Sequence, residues 1–334
     1  MKAITSTGRW TGVAPDSREL GQGASVPRRP DIPVMPAGLV ALARTRAGVV
    51  TAAQAHAVGI SKSQIEALVR TGMWTKLGGG TYLLGAWLGD DGPSVNQRCW
   101  SALLRARPGA VIDGAAGWRL HGLDGADDRG PIELVIPDHR TRHQAADRRF
   151  AWYALGPDDV VTVGGISVVA VPRLLIEASA TASREDFVSM LDSALHHRRI
   201  SEGELRALRP RLAVRAQPWV ALADGRSESA LETRVRLIAV DGGIPPTDVN
   251  HTVRRGAVPV ARIDLVWLRN GVKLGVEADG KKFHSGPEPL YRDRSRQADL
   301  TGLGWVIVRV TWWDVINRPQ WVLDQVLRHV YSAA

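Results

Sequence analysis

Asp264 and Glu277 are the residues of this 334-residue chain whose setting most invites chemistry. Each carboxylate stands inside an otherwise apolar run, Ile263-Asp264-Leu265-Val266-Trp267 and Val276-Glu277-Ala278. Asn270-Gly271 lies midway between them and is a two-residue hairpin signal. A hairpin folded there pairs positions near 264 with positions near 277. Asp279 follows Glu277 at a spacing of two, on the same strand face. Glu228, at the head of the preceding helix, is a fourth acid. Acids converging this way suit a hard, oxygen-seeking cation, magnesium or manganese. Such a cation activates water and stabilises the leaving oxygen in phosphodiester hydrolysis. Lys281, Lys282 and His284 come next and are placed to meet phosphate or orient water. The plainer reading of these residues is a solvated strand edge, an Asp-Gly turn and an exposed loop.

The elements that must position these acids are legible around them. Glu228 to Val240 reads as an amphipathic helix with Leu231, Val235, Ile238 and Ala239 on its apolar stripe. Arg262–Trp267 and Val272–Asp279 read as the two hairpin strands. An Arg-rich helix over Leu290–Leu303 follows. Trp305 to Val310 is nearly all apolar, as a buried central strand would be. Pro319 opens a last helix.

The other end of the chain has a different pattern. Residues 1–35 lack periodicity and are rich in Gly, Ser, Pro and Arg, which predicts a disordered leader. Over 36–88, Thr51-Ala52-Ala53-Gln54 and Ser61-Lys62-Ser63-Gln64 are capping boxes that each start a short helix. Ile65, Leu68 and Val69 bury one face of the second. Trp74–Leu84 reads as a hairpin with a Gly78-Gly79-Gly80 turn. Helix, short helix, turn, helix, hairpin is the winged helix-turn-helix order. In that reading Lys62, Ser63, Gln64 and Arg70 face DNA from the recognition helix, and Lys76 meets phosphate from the wing. A small helical interaction domain is the competing reading.

Residues 89–223 read as a mixed α/β middle domain with strands at Ile132–Ile136, Phe150–Leu155, Val160–Val163 and Ile166–Val171. Its helices span Arg173–Ala180, Arg184–His196 and Ser201–Leu208. His196-His197-Arg198-Arg199 fits a solvated helix end, where cations complement the dipole, better than a metal or phosphate site. No catalytic constellation is evident in this region. The overall fold class is α/β, or α+β taken across the three domains 36–88, 89–223 and 224–334.

Composition narrows the partners. The chain carries 43 Lys and Arg against 34 Asp and Glu, for a net charge of +9. Residues 1–88 hold 10 basic and 4 acidic groups, 89–223 hold 17 of each, and 224–334 hold 16 and 13. The excess lies at the ends and favours a polyanionic partner there. Cys99 is the single cysteine, which excludes an internal disulfide framework and a cysteine-rich zinc site. No apolar run approaches the roughly 20 residues needed to span a bilayer. No secretory signal is evident, so the cytoplasm is expected and a membrane partner is not.

Two resemblances add to this. Arg262-Ile263-Asp264, Val276-Glu277-Ala278-Asp279-Gly280 with His284, Arg292-Asp293-Arg294 and Leu303-Gly304-Trp305-Val306-Ile307-Val308-Arg309-Val310-Thr311-Trp312, led by Ser227-Glu228-Ser229-Ala230-Leu231-Glu232-Thr233-Arg234, resemble a bacterial domain similar to the Vsr-like endonucleases. These have the PD-(D/E)xK restriction-endonuclease-like fold. The resemblance covers residues 224–334 and makes Asp264 the first motif acid and Glu277 the second. Asp279 stands where the motif lysine is expected, and a shifted reading, Asp279-Gly280-Lys281, restores one. The second resemblance rests on Gly48-Val49-Val50-Thr51-Ala52-Ala53-Gln54-Ala55, Gly59-Ile60-Ser61, Leu68-Val69-Arg70-Thr71-Gly72-Met73-Trp74 and Gly80-Thr81-Tyr82. These resemble the winged-helix domain of AbiEi-type antitoxins, which implies DNA binding and operon autoregulation. Gly79 stands where such wings often carry arginine.

Together these readings give a DNA-binding protein with a magnesium-dependent nuclease domain, acting in phage defence, a toxin–antitoxin system or DNA repair. One alternative is an antitoxin-like repressor with a non-catalytic nuclease fold. Another is a scaffold that holds a cognate toxin through its middle region.

Overall fold

The computed structural model describes residues 35–126, 129–136, 145–269, 271–280 and 287–331, with side chains described from Arg294 onward in the last stretch. The expected leader, Lys281 and His284 lie outside the described residues. The chain divides into two compact units. One holds the residues up to Ala110 with Gly164–Ile166, and the other holds Val111–Val163 with Ser167–Ala334. The expected boundaries at 88 and 223 fall inside these units.

The first unit runs α1 (Ala37–Arg44), β1 (Val49–Thr51), α2 (Ala52–Ala57), α3 (Lys62–Arg70), β2 (Trp74–Gly78), β3 (Thr81–Leu84) and α4 (Val95–Leu104). Both expected capping boxes form. Thr51 and Ser61 accept from the amides of Gln54 and Gln64, whose side chains return the bond. The strands make an antiparallel sheet in the order β1-β3-β2. Leu39, Ile60, Ile65, Leu68, Trp74 and Leu84 fill its core. The unit continues past residue 88 because α4 is bonded to it. Gln97 Nε2 donates to the Ala47 and Trp87 carbonyls at 3.1 and 2.8 Å, and the Ser101 and Thr81 hydroxyls meet at 2.7 Å.

The second unit begins with β4 (Val111–Asp113), α5 (Gly114–Leu120), β5 (Ile132–Val135), β6 (Arg148–Ala151), β7 (Val160–Val163) and β8 (Ile166–Val169). These strands form a mixed sheet in the order β6-β5-β4-β8-β7. Then come α6 (Val171–Thr181), α7 (Arg184–His196) and α8 (Glu202–Leu208). Trp118, Leu123, Leu174, Phe187 and Leu191 are buried between sheet and helices. The strand expected at Phe150–Leu155 lies earlier in the chain, at β6.

The rest of the unit is α9 (Ala230–Asp241), β9 (Asp248–Arg255), β10 (Val258–Arg269), β11 (Val272–Asp279), α10 (Pro287–Gly302), β12 (Trp305–Thr311), α11 (Trp312–Asn317) and α12 (Pro319–Tyr331). Its sheet order is β12-β11-β10-β9, with β12 parallel to β11 and the other pairs antiparallel. Trp305–Val310 is therefore an edge strand and not the central one expected. Its apolar residues reach two different cores, because α10 covers one sheet face and α9 with α12 the other. Leu265, Trp267, Leu274, Val276 and Val310 pack on the α9 and α12 side. Ile263, Val266 and Trp305 pack with Leu300 of α10. Gly275 is needed here, since a Cβ would stand 2.8 Å from side-chain carbons of both Ile263 and Ile307.

A buried ionic joint crosses residue 223. Asp192 of α7 accepts from Arg236 Nη2 at 2.6 Å and from the Thr233 hydroxyl at 2.7 Å, both on α9. Its other oxygen accepts the Asp224 amide at 2.7 Å, and Arg236 Nη1 donates to the Leu222 carbonyl at 2.6 Å. Arg184 and Asp241 add a bidentate pair nearer solvent. These bonds make one unit of what the sequence reads as two domains.

Candidate active site

The hairpin closes as the Asn-Gly spacing predicts. Leu265 pairs with Val276, and Asp264 and Glu277 are the next residues along, on adjacent strands. The Asp264 carboxylate accepts the Ala278 amide at 2.8 Å. On the far side of β10, the ladder to β9 skips one position. Ile263 pairs with His251 and Leu265 with Val249, while Asn250, between them, has a left-handed backbone with φ 54°. The alternation of β10 breaks at the same point, since Ile263 packs toward α10 and Leu265 toward α9. The register itself is the same on both sides of this gap, and its shift lies further back in β10, between Pro259 and Ala261.

Arginines frame the acids. Arg296 of α10 donates to Glu277 Oε1 at 2.5 Å and to the Arg262 carbonyl at 2.7 Å. Arg309 pairs with Glu277 in the parallel ladder and sets Nε 3.5 Å from Oε2. Glu228 forms a bidentate pair with Arg262 at 2.5 and 2.6 Å. Asp279, half-buried, lies at the end of β11 opposite Thr311.

Glu232 is the residue that the sequence reading missed. Its side chain is buried and accepts from the Glu228 amide and the Ser229 hydroxyl, both at 2.8 Å. Asn250 Nδ2 adds a third bond at 3.2 Å. Burial pushes its carboxyl above the usual range, and the charge of Asp264 pushes it further. Burial likewise raises Asp264, against the pull of the Ala278 amide, Arg262 and Arg296. The signal was present in the sequence: Ser229-Ala230-Leu231-Glu232 has capping-box spacing, which gives the acid a ready structural explanation.

These half-buried and buried carboxylates, with oxygen as the only donor type, have the chemistry a hard cation takes. Among the described residues, no three His, Cys, Asp or Glu side chains are grouped to hold a metal ion.

The five-stranded sheet holds a second acid pair that the sequence reading did not single out. Asp113 of β4 and Glu133 of β5 are directly opposed. Asp113 is 4% exposed, and its Oδ1 is buried without a hydrogen-bond partner, as is the hydroxyl of neighbouring Tyr153. Burial pushes both carboxyls up, and Asp113 raises Glu133 further. Arg173 stacks 4.3 Å from the Tyr153 ring and directs its nitrogens to Asp159 and Glu177.

In the head, Lys62, Ser63, Arg70 and Lys76 are exposed. Gln64 is half-buried and gives its amide oxygen to the Ser61 N–H at 2.8 Å. Gln64, expected to face DNA, thus has its amide oxygen engaged in the helix cap.

Comparison with known proteins bears on the C-terminal region. The restriction endonuclease-like family model REase_MTES_1575 matches residues 248–330. The C-terminal part is thus a nuclease-like domain, and the chain is a mixed α/β protein. Two Mycobacterium tuberculosis relatives are similar to this chain: Uncharacterized protein MT2308 (strain CDC 1551 / Oshkosh) and Uncharacterized protein Rv2248 (strain ATCC 25618 / H37Rv). Each is 29% identical over 176 residues, which is 51% of this chain and 64% of the relative. The chain therefore matches less than two thirds of their length. The crystal structure of the RV2827C protein from Mycobacterium tuberculosis aligns with a TM-score of 0.39 and 18% identity over 69% of this chain and 92% of that one. That likeness is too distant to carry an argument. No helix among the described residues is long and apolar enough to cross a membrane.

Proposed function

We propose that the chain is a DNA-binding endonuclease whose C-terminal domain hydrolyses phosphodiester bonds with magnesium, or manganese in its place. The observation that carries this is the juxtaposition of Asp264 and Glu277 on adjacent strands, inside the stretch that matches a restriction endonuclease-like family. Asp264, Glu277 and Asp279 are the carboxylates that would hold the cation, with Glu232 beside them and Glu228 in support. A bound cation would supply water activation and charge neutralisation at the scissile phosphate. Arg296 and Arg309, already at the acids, are placed to meet a phosphate that approaches this edge. Lys281 or His284 would orient water or contact the phosphate.

The head supports the DNA part of the reading. Its element order is that of a winged helix-turn-helix, and Lys62, Ser63, Arg70 and Lys76 are exposed on its third helix and hairpin. We assign it to duplex binding, in a setting of phage defence, toxin–antitoxin control or repair. The test is plasmid nicking by the purified full chain with magnesium or manganese, against Asp264→Ala and Glu277→Ala. Metal-dependent nicking that disappears in both variants is expected. Undiminished nicking by the double variant would overturn the assignment.

A second reading, a non-catalytic regulator of AbiEi-antitoxin type, is favoured by one observation. Glu277 is ion-paired with Arg296 and Arg309, and Glu228 with Arg262. Operator binding without cleavage, over a panel of DNA and RNA substrates and metals, would select it. A toxin held through the middle region would reveal itself by co-purification.

A further inference from the structure

The helix α11 turns two adjacent tryptophans toward solvent. Trp312 is 41% exposed and Trp313 is 62% exposed, with Ile316 at 58% about one turn on. Tryptophan is a largely buried residue type, and exposed neighbours of this size mark interaction sites. Their place in the fold points to which one. Thr311 pairs with Asp279 in the parallel ladder, so Trp312 starts just past the strand that carries Glu277 and Asp279. Gly280 lies where the Trp312 ring meets α9: a Cβ there would stand 3.7 Å from both Trp312 Nε1 and Leu231 Cδ2. Two arginines lie against the rings. Arg234 is 5.6 Å from the Trp312 ring, and Arg318 is 5.2 Å from Trp313 and 3.9 Å from Trp321. Asp314 fixes Arg318 through a 2.7 Å bond to its Nε.

We propose that Trp312 and Trp313 form a stacking platform for unpaired bases, so that the substrate of the adjacent acidic edge is a single-stranded or locally opened nucleic acid. The inference rests on the reading that this edge acts on nucleic acid. The chemistry selects the occupant. In a duplex each base has both faces covered by its neighbours, whereas an unpaired base offers a face to an aromatic ring whatever its identity. Consecutive helix positions point about 100° apart. The two rings therefore do not suit one flat partner surface, but they do suit successive bases of a strand turning past the helix. A six-residue helix is roughly 9 Å long, too short to supply alone the ~800 Å² per partner of a stable protein interface. Arg234 is ion-paired with Asp186 and Arg318 with Asp314, so the two rings, and not free charge, carry the contact.

The experiment is fluorescence anisotropy of a labelled single-stranded oligonucleotide and of the same sequence as a blunt duplex. It uses the full chain in EDTA, so that binding is read without cleavage. Trp313→Ala is expected to weaken single-strand binding roughly tenfold or more, to leave duplex binding by the head unchanged, and to be rescued in large part by Trp313→Phe. Equal single-strand affinity in wild type and Trp313→Ala would overturn the proposal. So would a fall in sedimentation mass in Trp313→Ala without a change in binding, which would make the helix a contact between two copies of the chain. Nicking by Asp264→Ala separates the two readings. If it equals wild type while the Trp313 effect on binding persists, the nuclease reading fails and the platform stands. If nicking is lost in Asp264→Ala while Trp313→Ala binds normally, the platform fails and the nuclease reading stands.

Discussion

Asp113 and Glu133 oppose each other across β4 and β5, and Asp264 and Glu277 stand on adjacent strands one position past the last pair of the β10–β11 ladder. In both places a carboxylate is raised by burial. The surroundings differ. The first pair has Tyr153 against Asp113, Arg149 beside Glu133 in the parallel ladder to β6, and Arg173 turned to Asp159 and Glu177. A Cβ at Gly114 would collide with the Glu133 carboxylate, so the space is filled. The second pair is bordered by Arg262, Arg296 and Arg309 and lies next to exposed tryptophans. Converging acids are therefore not enough to mark a site. More arginines at the acids, and exposed tryptophans beside them, set the proposed site apart from the second pair.

The largest effect that could break this comparison is on cleavage. Asp264→Ala and Glu277→Ala should each lower metal-dependent nicking by roughly a hundredfold or more, the size of losing a central charge-stabilising group. Asp113→Ala should leave nicking intact. Plasmid assays at matched folded concentration check both. If Asp113→Ala alone abolished cleavage, the comparison would be reversed.

Next in size is the acid that does have a buried partner. Asp192→Ala leaves Arg236 buried without its counter-ion, and urea titration should show a loss of about 3–5 kcal/mol. A loss under about 1 kcal/mol would mean that water already reaches the joint.

A smaller effect of opposite sign is expected where compensation is poor. The folded state holds the Asp113 proton more tightly than the unfolded chain does. Its contribution to stability therefore falls as pH rises from the ordinary aspartate range through its raised folded value. Asp113→Asn should stabilise at neutral pH by on the order of 1–2 kcal/mol, and the gain should vanish in acid below the ordinary range. Asp264→Asn should share that pH dependence yet lose nicking. Thermal melts from acid to neutral pH, alongside nicking, distinguish a pair kept for chemistry from one kept for packing.

The smallest expected effect lies in the head. Lys62→Ala or Arg70→Ala should weaken duplex binding severalfold. Each should lower the slope of log K against log salt by about 1, as one lost phosphate contact does. An unchanged slope in both would exclude this helix from the DNA contact.

Much of the candidate site's geometry was legible because its signals are local. The Asn-Gly turn, the acids in apolar strands and the capping boxes depend on residues within a few positions of one another. Glu232 was hidden because its capping role explains it, and its approach to Asp264 depends on α9 packing on the sheet. Asp113 escaped notice in the three-residue strand β4, too short to show alternation. β9 was missed because Asn250-His251-Thr252-Val253-Arg254-Arg255 is polar, as an edge strand can be. The edge position of β12 was misread because strand order follows from the parallel crossover through α10, which apolar content does not encode.

The joint at Asp192 also bears on how this chain could be inherited in pieces. Its acid is encoded before residue 223, while Thr233 and Arg236 are encoded after it. A recombination event that moved the nuclease-like segment alone onto another protein would strand a buried carboxylate in the donor and a buried guanidinium in the recipient. The middle region and the nuclease-like domain are thus expected to travel through genomes as one exchangeable block, with the cut point before Val111.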